Sequence, residues 1–196
     1  MEAISYRLSA TGWEDLIGRL AALRFRAALV GLHGRGKTTL LEELARRLAQ
    51  RGFRIRTILL HEGDRRLSPV HRKTLFRGLT IKDKDLLFVD GAEQLSRLSW
   101  LEILVRSRAA GGLVITSHRP GLLPTLHECR TSPDLLEEIV AELAGPDAPK
   151  PLPSSVELFV RHDGNVRDAL RELYDRCASF TLPPAARTGS PSLPGR

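Results

Sequence analysis

Between Ala27 and Leu44 the chain reads Ala-Ala-Leu-Val-Gly-Leu-His-Gly-Arg-Gly-Lys-Thr-Thr-Leu-Leu-Glu-Glu-Leu, and Gly31 to Thr38 fill the spacing G-x-x-x-x-G-K-[ST]. Glycines at 31, 34 and 36 permit backbone angles closed to other residues, so successive N–H groups can turn inward around an anion. Lys37 offers a long flexible cation for β- and γ-phosphates, and Thr38 a hydroxyl for Mg²⁺. His33, Arg35 and Thr39 fall within the same cradle. Only five of the 30 basic residues are lysines, at 37, 73, 82, 84 and 150, so a lysine in this slot is not a by-product of composition. The chemistry expected here is the binding of ATP with Mg²⁺.

A second stretch supplies the missing carboxylate. Asp85-Leu-Leu-Phe-Val-Asp90 is a buried-strand pattern that delivers Asp90 at its C-terminal edge, where a metal ligand is needed beside a phosphate loop. Leu113-Val-Ile-Thr-Ser117 repeats the design, running from apolar to polar, so Thr116, Ser117 and His118 are expected at that edge too. A γ-phosphate-sensing role falls to Thr116 or Ser117. A lone histidine at a strand end is more often a hydrogen-bonded edge residue than a catalyst.

These side chains need a scaffold, and the hydrophobic periodicity supplies one. Ala27 to Val30 reads as a buried strand, and Leu40, Leu41, Leu44, Ala45 and Leu48 as one face of a helix opening at Lys37, whose dipole would face the phosphates. Thr11 with Glu14 reads as a helix start ahead of the stripe Trp13, Leu16, Ile17, Leu20, Leu23. Phe53 to Leu60 alternates as a half-covered strand, residues 61–82 read as loop around a short helix, and Ser96 to Ala110 as a helix ended by Gly111-Gly112. A short fifth strand is expected around Thr125 to Cys129. Helices from Ser132 or Pro133 to Leu143, Ser154 to Arg161 and Val166 to Ala178 follow, with a proline-rich linker from Gly145 to Pro153.

The expected fold class is therefore α/β: a three-layer nucleotide-binding core with a parallel sheet of about five strands over residues 1–131, and a small C-terminal helical lid over 132–180. The tail 181–196 is too rich in proline and small residues to pack and is expected to be disordered. Ile4 to Leu8 reads as a short strand or arm of no assigned role.

At 196 residues and 42% hydrophobic content there is room for one core and a lid. No apolar run approaches membrane-spanning length and the first residues lack a secretion signal, so a soluble cytoplasmic protein is expected. Cys129 and Cys177 lack metal-ligand spacing and read as structural thiols. A net charge of +7 makes a nucleic-acid partner an expectation resting on charge alone, because the arginines are dispersed and aromatics are only 5%.

Four stretches together resemble the AAA+ branch of the P-loop ATPases, especially compact bacterial members related to secretion, transposition and origin-recognition ATPases. They are Gly-Leu-His-Gly-Arg-Gly-Lys-Thr at 31–38 (Walker A), Leu-Leu-Phe-Val-Asp-Gly-Ala-Glu-Gln-Leu-Ser at 86–96 (Walker B), Ile-Thr-Ser-His at 115–118 and Gly-Asn-Val-Arg at 164–167. The resemblance implies that Arg167 touches the γ-phosphate from the lid, and that ATP binding drives lid movement and contact with a protein partner or further copies of the chain. The pattern departs at Gly91, where such ATPases usually place the water-polarising glutamate; the next carboxylate is Glu93. Asp-Gly-Ala-Glu is also similar to the STAND signalling ATPases. Slow hydrolysis, or binding without turnover, follows, with Lys37, Glu93, Ser117 and Arg167 as the catalytic set. The alternative is a small-molecule or nucleotide kinase; His118-Arg119-Pro120 could be misread as such an enzyme's arginine-bearing lid between later strands, and Gly-Asn-Val-Arg at 164–167 discriminates in favour of the ATPase. No [NT]-K-x-D guanine motif and no Ser-Gly-Gly signature is present, which disfavours a GTPase and an ABC-type ATPase.

Overall fold

Five apolar runs form one sheet. β1 (Arg26–Val30), β2 (Arg54–Leu59), β3 (Lys82–Asp90), β4 (Ala110–Ser117) and β5 (Thr125–Glu128) pair in the order β2-β3-β4-β1-β5, every pairing parallel. The computed structural model describes residues 6, 8, 12–78, 82–144 and 153–181, with side chains left aside at 82, 83, 144 and 178–181. The chain divides into two compact units, Met1–Ser132 and Pro133–Arg196.

Parallel strands need cover on both faces, and alternate strand residues show where it comes from. Ala27 and Leu29 join Phe88 and Val114 beneath α1 (Gly12–Ala22) and α2 (Lys37–Gln50), whose Leu16, Leu20, Leu40, Leu41, Leu44 and Leu48 complete that core. Ala28 and Val30 join Leu87, Val89 and Ile115 on the other side, against Leu75 and Phe76 of α3 (Pro69–Phe76) and Ile103 of α4 (Arg97–Arg106). Helices, sheet and helices make the three layers.

Register is fixed by charge as well as by burial. Arg54 lies opposite Asp85 across β2 and β3, and its guanidinium donates to both carboxylate oxygens at 2.7 and 3.0 Å. Asp85 is buried, so a one-residue slip would strand its charge and turn the apolar set outward.

One expected boundary is corrected. Gly111-Gly112 does not end a helix: α4 stops at Arg106, a 3₁₀ turn covers Ser107–Ala109, and both glycines lie inside β4. The reason is tertiary, since a Cβ on Gly112 would come within 2.5 Å of the Phe25 carbonyl oxygen and 2.8 Å of Leu86 Cδ2.

The second unit is helical: α5 (Pro133–Ala144), α6 (Ser155–Arg161) and α7 (Val166–Thr181). Leu136, Ile139, Val140, Leu158, Val166, Ala169 and Leu173 are the buried hydrophobic residues among its described residues. Glu172 accepts from His162 at 2.7 Å and Arg176 at 2.5 Å and pairs with Arg161, tying α6 to α7. Thr11, the linker residues 145–152, the tail from 182 and all of the expected N-terminal arm except Tyr6 and Leu8 lie outside the described residues. No helix among the described residues is long and apolar enough to cross a membrane.

Candidate nucleotide site

The two sequence stretches meet at one sheet edge. β1, β3 and β4 all end there: Val30 is the register partner of Ser117, and Val89 of Ile115. Because β4 lies between β1 and β3, its polar end stands between the glycine loop and Asp90.

After β1 the loop turns through Gly34 (φ 69°) and Gly36 (φ 77°) into α2. Gly36 is the N-cap and has no side chain to cap with, and the helix's first turn holds no acidic residue. The first N–H groups of a helix have no intrahelical acceptor, and a helix N-terminus without a side-chain cap favours an anion. Gly31 differs from the other two: its N–H donates to the Ser117 carbonyl at 3.1 Å, which fastens the loop to β4. Lys37 is buried, and its Nζ donates to the Leu32 carbonyl at 2.9 Å, folding the side chain back across the loop. Thr38 and Thr39 are half-buried in the first turn of α2, Arg35 is half-buried before it, and His33 is exposed.

At the end of β3 the buried Asp90 accepts the Thr116 hydroxyl at 2.5 Å, and Thr116 Oγ1 in turn accepts the Gly91 N–H at 2.8 Å. One hydroxyl thus satisfies the carboxylate and the turn behind it, leaving Asp90's other lone pairs available. Ser117 is engaged differently: its hydroxyl donates to the Arg119 carbonyl at 2.6 Å and accepts the Arg119 N–H at 3.3 Å, closing the next turn.

Gly91 sits at φ 83°, and a Cβ there would lie 2.7 Å from the Leu60 carbonyl oxygen. The backbone therefore excludes a glutamate at this position, which explains the departure at Gly91. The 3₁₀ turn Ala92–Gln94 then carries Glu93 back to the edge. Glu93 Oε1 lies 3.2 Å from His118 Nε2, whereas Oε2 is buried with no hydrogen-bond partner. His118 also meets the His33 ring edge to face at 5.7 Å. Burial holds the His118 imidazole below its usual pKa, with Lys37 and His33 acting in the same direction and Glu93 opposing them.

Sequence reasoning places His118 at this edge but not its pairing with Glu93, and it misses Tyr6, which lies beside the loop, 3.1 Å from where a Gly36 Cβ would stand. Tyr6 Oη is 3.2 Å from His127 Nε2, and burial raises its phenol pKa well above the usual value. No motif marks either contact, because both join residues distant in sequence. Arg167 belongs to the second unit. There Asn165 caps α7 by accepting the Asp168 N–H at 3.2 Å, Val166 is buried and Arg167 is exposed on the first turn.

Five parallel strands between two helical layers make an α/β three-layer fold, consistent with that of the P-loop NTPases. Among solved structures the chain is similar to the Orc1 protein of Aeropyrum pernix in complex with DNA, at a TM-score of 0.61 and 17% identity over 88% of this chain. The match spans 60% of that Orc1 chain. No family model matches the chain, and no curated protein does.

Proposed function

We propose that the protein is an AAA+-like ATPase that binds ATP with Mg²⁺ at the Gly31–Thr39 loop, hydrolyses it slowly, and couples the bound nucleotide to its helical unit and to a partner. The observation that carries this reading is the buried, unpartnered Oε2 of Glu93 at the edge shared by Lys37 and Asp90. A buried carboxylate oxygen without a donor is costly, and a water held against a γ-phosphate would satisfy it.

The residues present fit the nucleotide and its ion. The α2 N-terminus and Lys37 would hold the phosphates, Lys37 exchanging the Leu32 carbonyl for phosphate oxygens. Thr38 and Asp90 would hold Mg²⁺, which when bound neutralises charge on the β- and γ-phosphates. Thr116 holds the Asp90 carboxylate in its orientation through its hydroxyl. Glu93 accepts a proton of the attacking water through Oε2 while His118 steadies Oε1. Ser117 senses the γ-phosphate by way of the turn at Arg119. Arg167 reaches the γ-phosphate when the helical unit closes over ATP.

The kinase reading is weaker. The segment between β4 and β5 is residues 118–124 and contains no helix, which leaves little for a phosphotransferase lid. The fold likeness to Orc1, solved with DNA, and the net charge of +7 support DNA as a partner to be tried first. The test is turnover of ATP by the purified chain, alone and with duplex DNA. Expected is slow release of phosphate that Glu93→Gln abolishes; turnover near the usual enzymatic value of about 10 per second, unaffected by Glu93→Gln, would remove Glu93 from the mechanism.

A further inference from the structure

Helix α4 is apolar on two sides. Ser99 and Ile103 face the core, yet Leu98, Leu101 and Val105 recur at i, i+3 and i+7 on the opposite side and are 80%, 54% and 51% exposed. Val70 on α3, which Arg72 ties to α4 through both oxygens of Glu102 at 2.8 Å, is 69% exposed. Scattered exposed leucines are ordinary, but a stripe along one helix marks a contact face.

Beside the stripe lies a cavity of about 490 Å³ whose lining includes Leu98, Arg65 and Arg66. Both arginines are exposed and have no carboxylate partner among the described residues, unlike Arg72 and Arg106, which share Glu102. Unpaired cations beside aliphatic side chains call for a ligand with carboxylates and an apolar edge. Nucleic acid meets only half of that requirement, since phosphates gain nothing from Leu98 or Leu101 and bases stack on aromatic rings.

We propose that this face docks an acidic amphipathic helix of a partner protein, and that docking acts on the Walker B turn. The connection is short. Glu93 lies three residues before Ser96, the N-cap of α4; the Ser96 N–H and the Ser99 hydroxyl both donate to the Arg65 carbonyl, at 2.9 and 3.2 Å. The Leu60 N–H donates to the Asp90 carbonyl at 2.9 Å, so the loop that carries Arg65 and Arg66 is fastened to the turn from both ends. A partner that pulls on those arginines loads the backbone carrying Glu93. That consequence for turnover rests on the role given to Glu93 above; the docking itself does not.

The probe is a synthetic, fluorescently labelled peptide with the sequence of residues 133–144, which has four carboxylates, no cation and apolar residues at helical spacing. Binding to the full chain is followed by anisotropy, and binding-induced change by hydrogen exchange at residues 91–96. Expected is salt-sensitive binding that Leu98→Gln/Leu101→Gln and Arg65→Gln/Arg66→Gln each weaken at least about tenfold, with circular dichroism unchanged. Altered exchange at 91–96 on binding is expected as well. Absence of binding, or binding indifferent to the leucine pair, overturns the docking face. Displacement of the peptide by a DNA duplex makes the face a nucleic-acid interface instead. A dimer of the free chain that the leucine variant abolishes makes a second copy the occupant. Binding with unchanged exchange at 91–96 overturns the coupling to Glu93. Loss of turnover in Glu93→Gln judges the catalytic reading separately.

Discussion

The Thr116 hydroxyl lies 2.5 Å from Asp90 Oδ1 and also receives the Gly91 N–H, so a side chain of β4 holds the carboxylate at the end of β3 and the turn that follows it. Asp90 and Thr116 are both buried, and replacing the hydroxyl with a methyl takes a hydrogen-bond partner from the carboxylate and from the Gly91 N–H together. Thr116→Val should cost about 1–3 kcal/mol of stability. Urea denaturation checks this, and calorimetry with and without Mg²⁺ should show the larger loss of ATP affinity in the presence of the ion.

Gly91 gives a prediction opposite to the one its departure from the motif invites. Inserting the glutamate that AAA+ ATPases usually carry at this point of the motif would place a Cβ 2.7 Å from the Leu60 carbonyl at a φ of 83°. Gly91→Glu should therefore lose about 1–3 kcal/mol and fail to raise turnover. Unchanged stability together with faster phosphate release would show that the turn has room after all.

The histidine beside Glu93 reports on the charges around it. His118 is held below its ordinary value near 6.5 chiefly by burial, so the folded chain binds fewer protons there than the unfolded chain does. Its contribution to stability is complete above that value and is lost as the pH falls below it. In a histidine-resolved NMR titration, Glu93→Gln should lower the His118 pKa further, because the carboxylate opposes the shift; Lys37→Ala should raise it. An unmoved pKa in both variants would mean that the cluster is not electrostatically joined.

Much of this was legible beforehand because it is written locally. The glycine spacing from Gly31 to Gly36, the apolar runs ending at Asp90 and Ser117, and the leucine period of α2 each sit within one segment and predict its element. What stayed hidden depends on segments meeting. Gly112 looked like a helix stop and is a close approach to Phe25; Thr116 and Ser117 looked equivalent, and only one touches Asp90. Glu93 is singled out by elimination and His118 is placed at the strand end, but their pairing across 25 residues is not legible, since no sequence period links a 3₁₀ turn to a strand end.

In the proposed function, coupling to the helical unit rests on Arg167. If it meets the γ-phosphate, ATP but not ADP should increase hydrogen-exchange protection across residues 134–178. Arg167→Ala should keep nucleotide binding and lose the difference, since a ligand shifts an equilibrium only by its differential affinity. Equal protection in ATP and ADP for the parent chain would transfer weight to the kinase reading.

The central claim is that ATP·Mg²⁺ occupies the loop before α2, and Lys37 is its most direct witness: a buried ammonium resting on the Leu32 carbonyl. Isothermal calorimetry of the parent and Lys37→Ala with ATP·Mg²⁺ settles it. A charge-assisted contact is worth about 1.5–3 kcal/mol, so the variant should bind about 10- to 100-fold more weakly while remaining folded. Equal affinity in the two proteins, or no binding by the parent, would contradict the assignment.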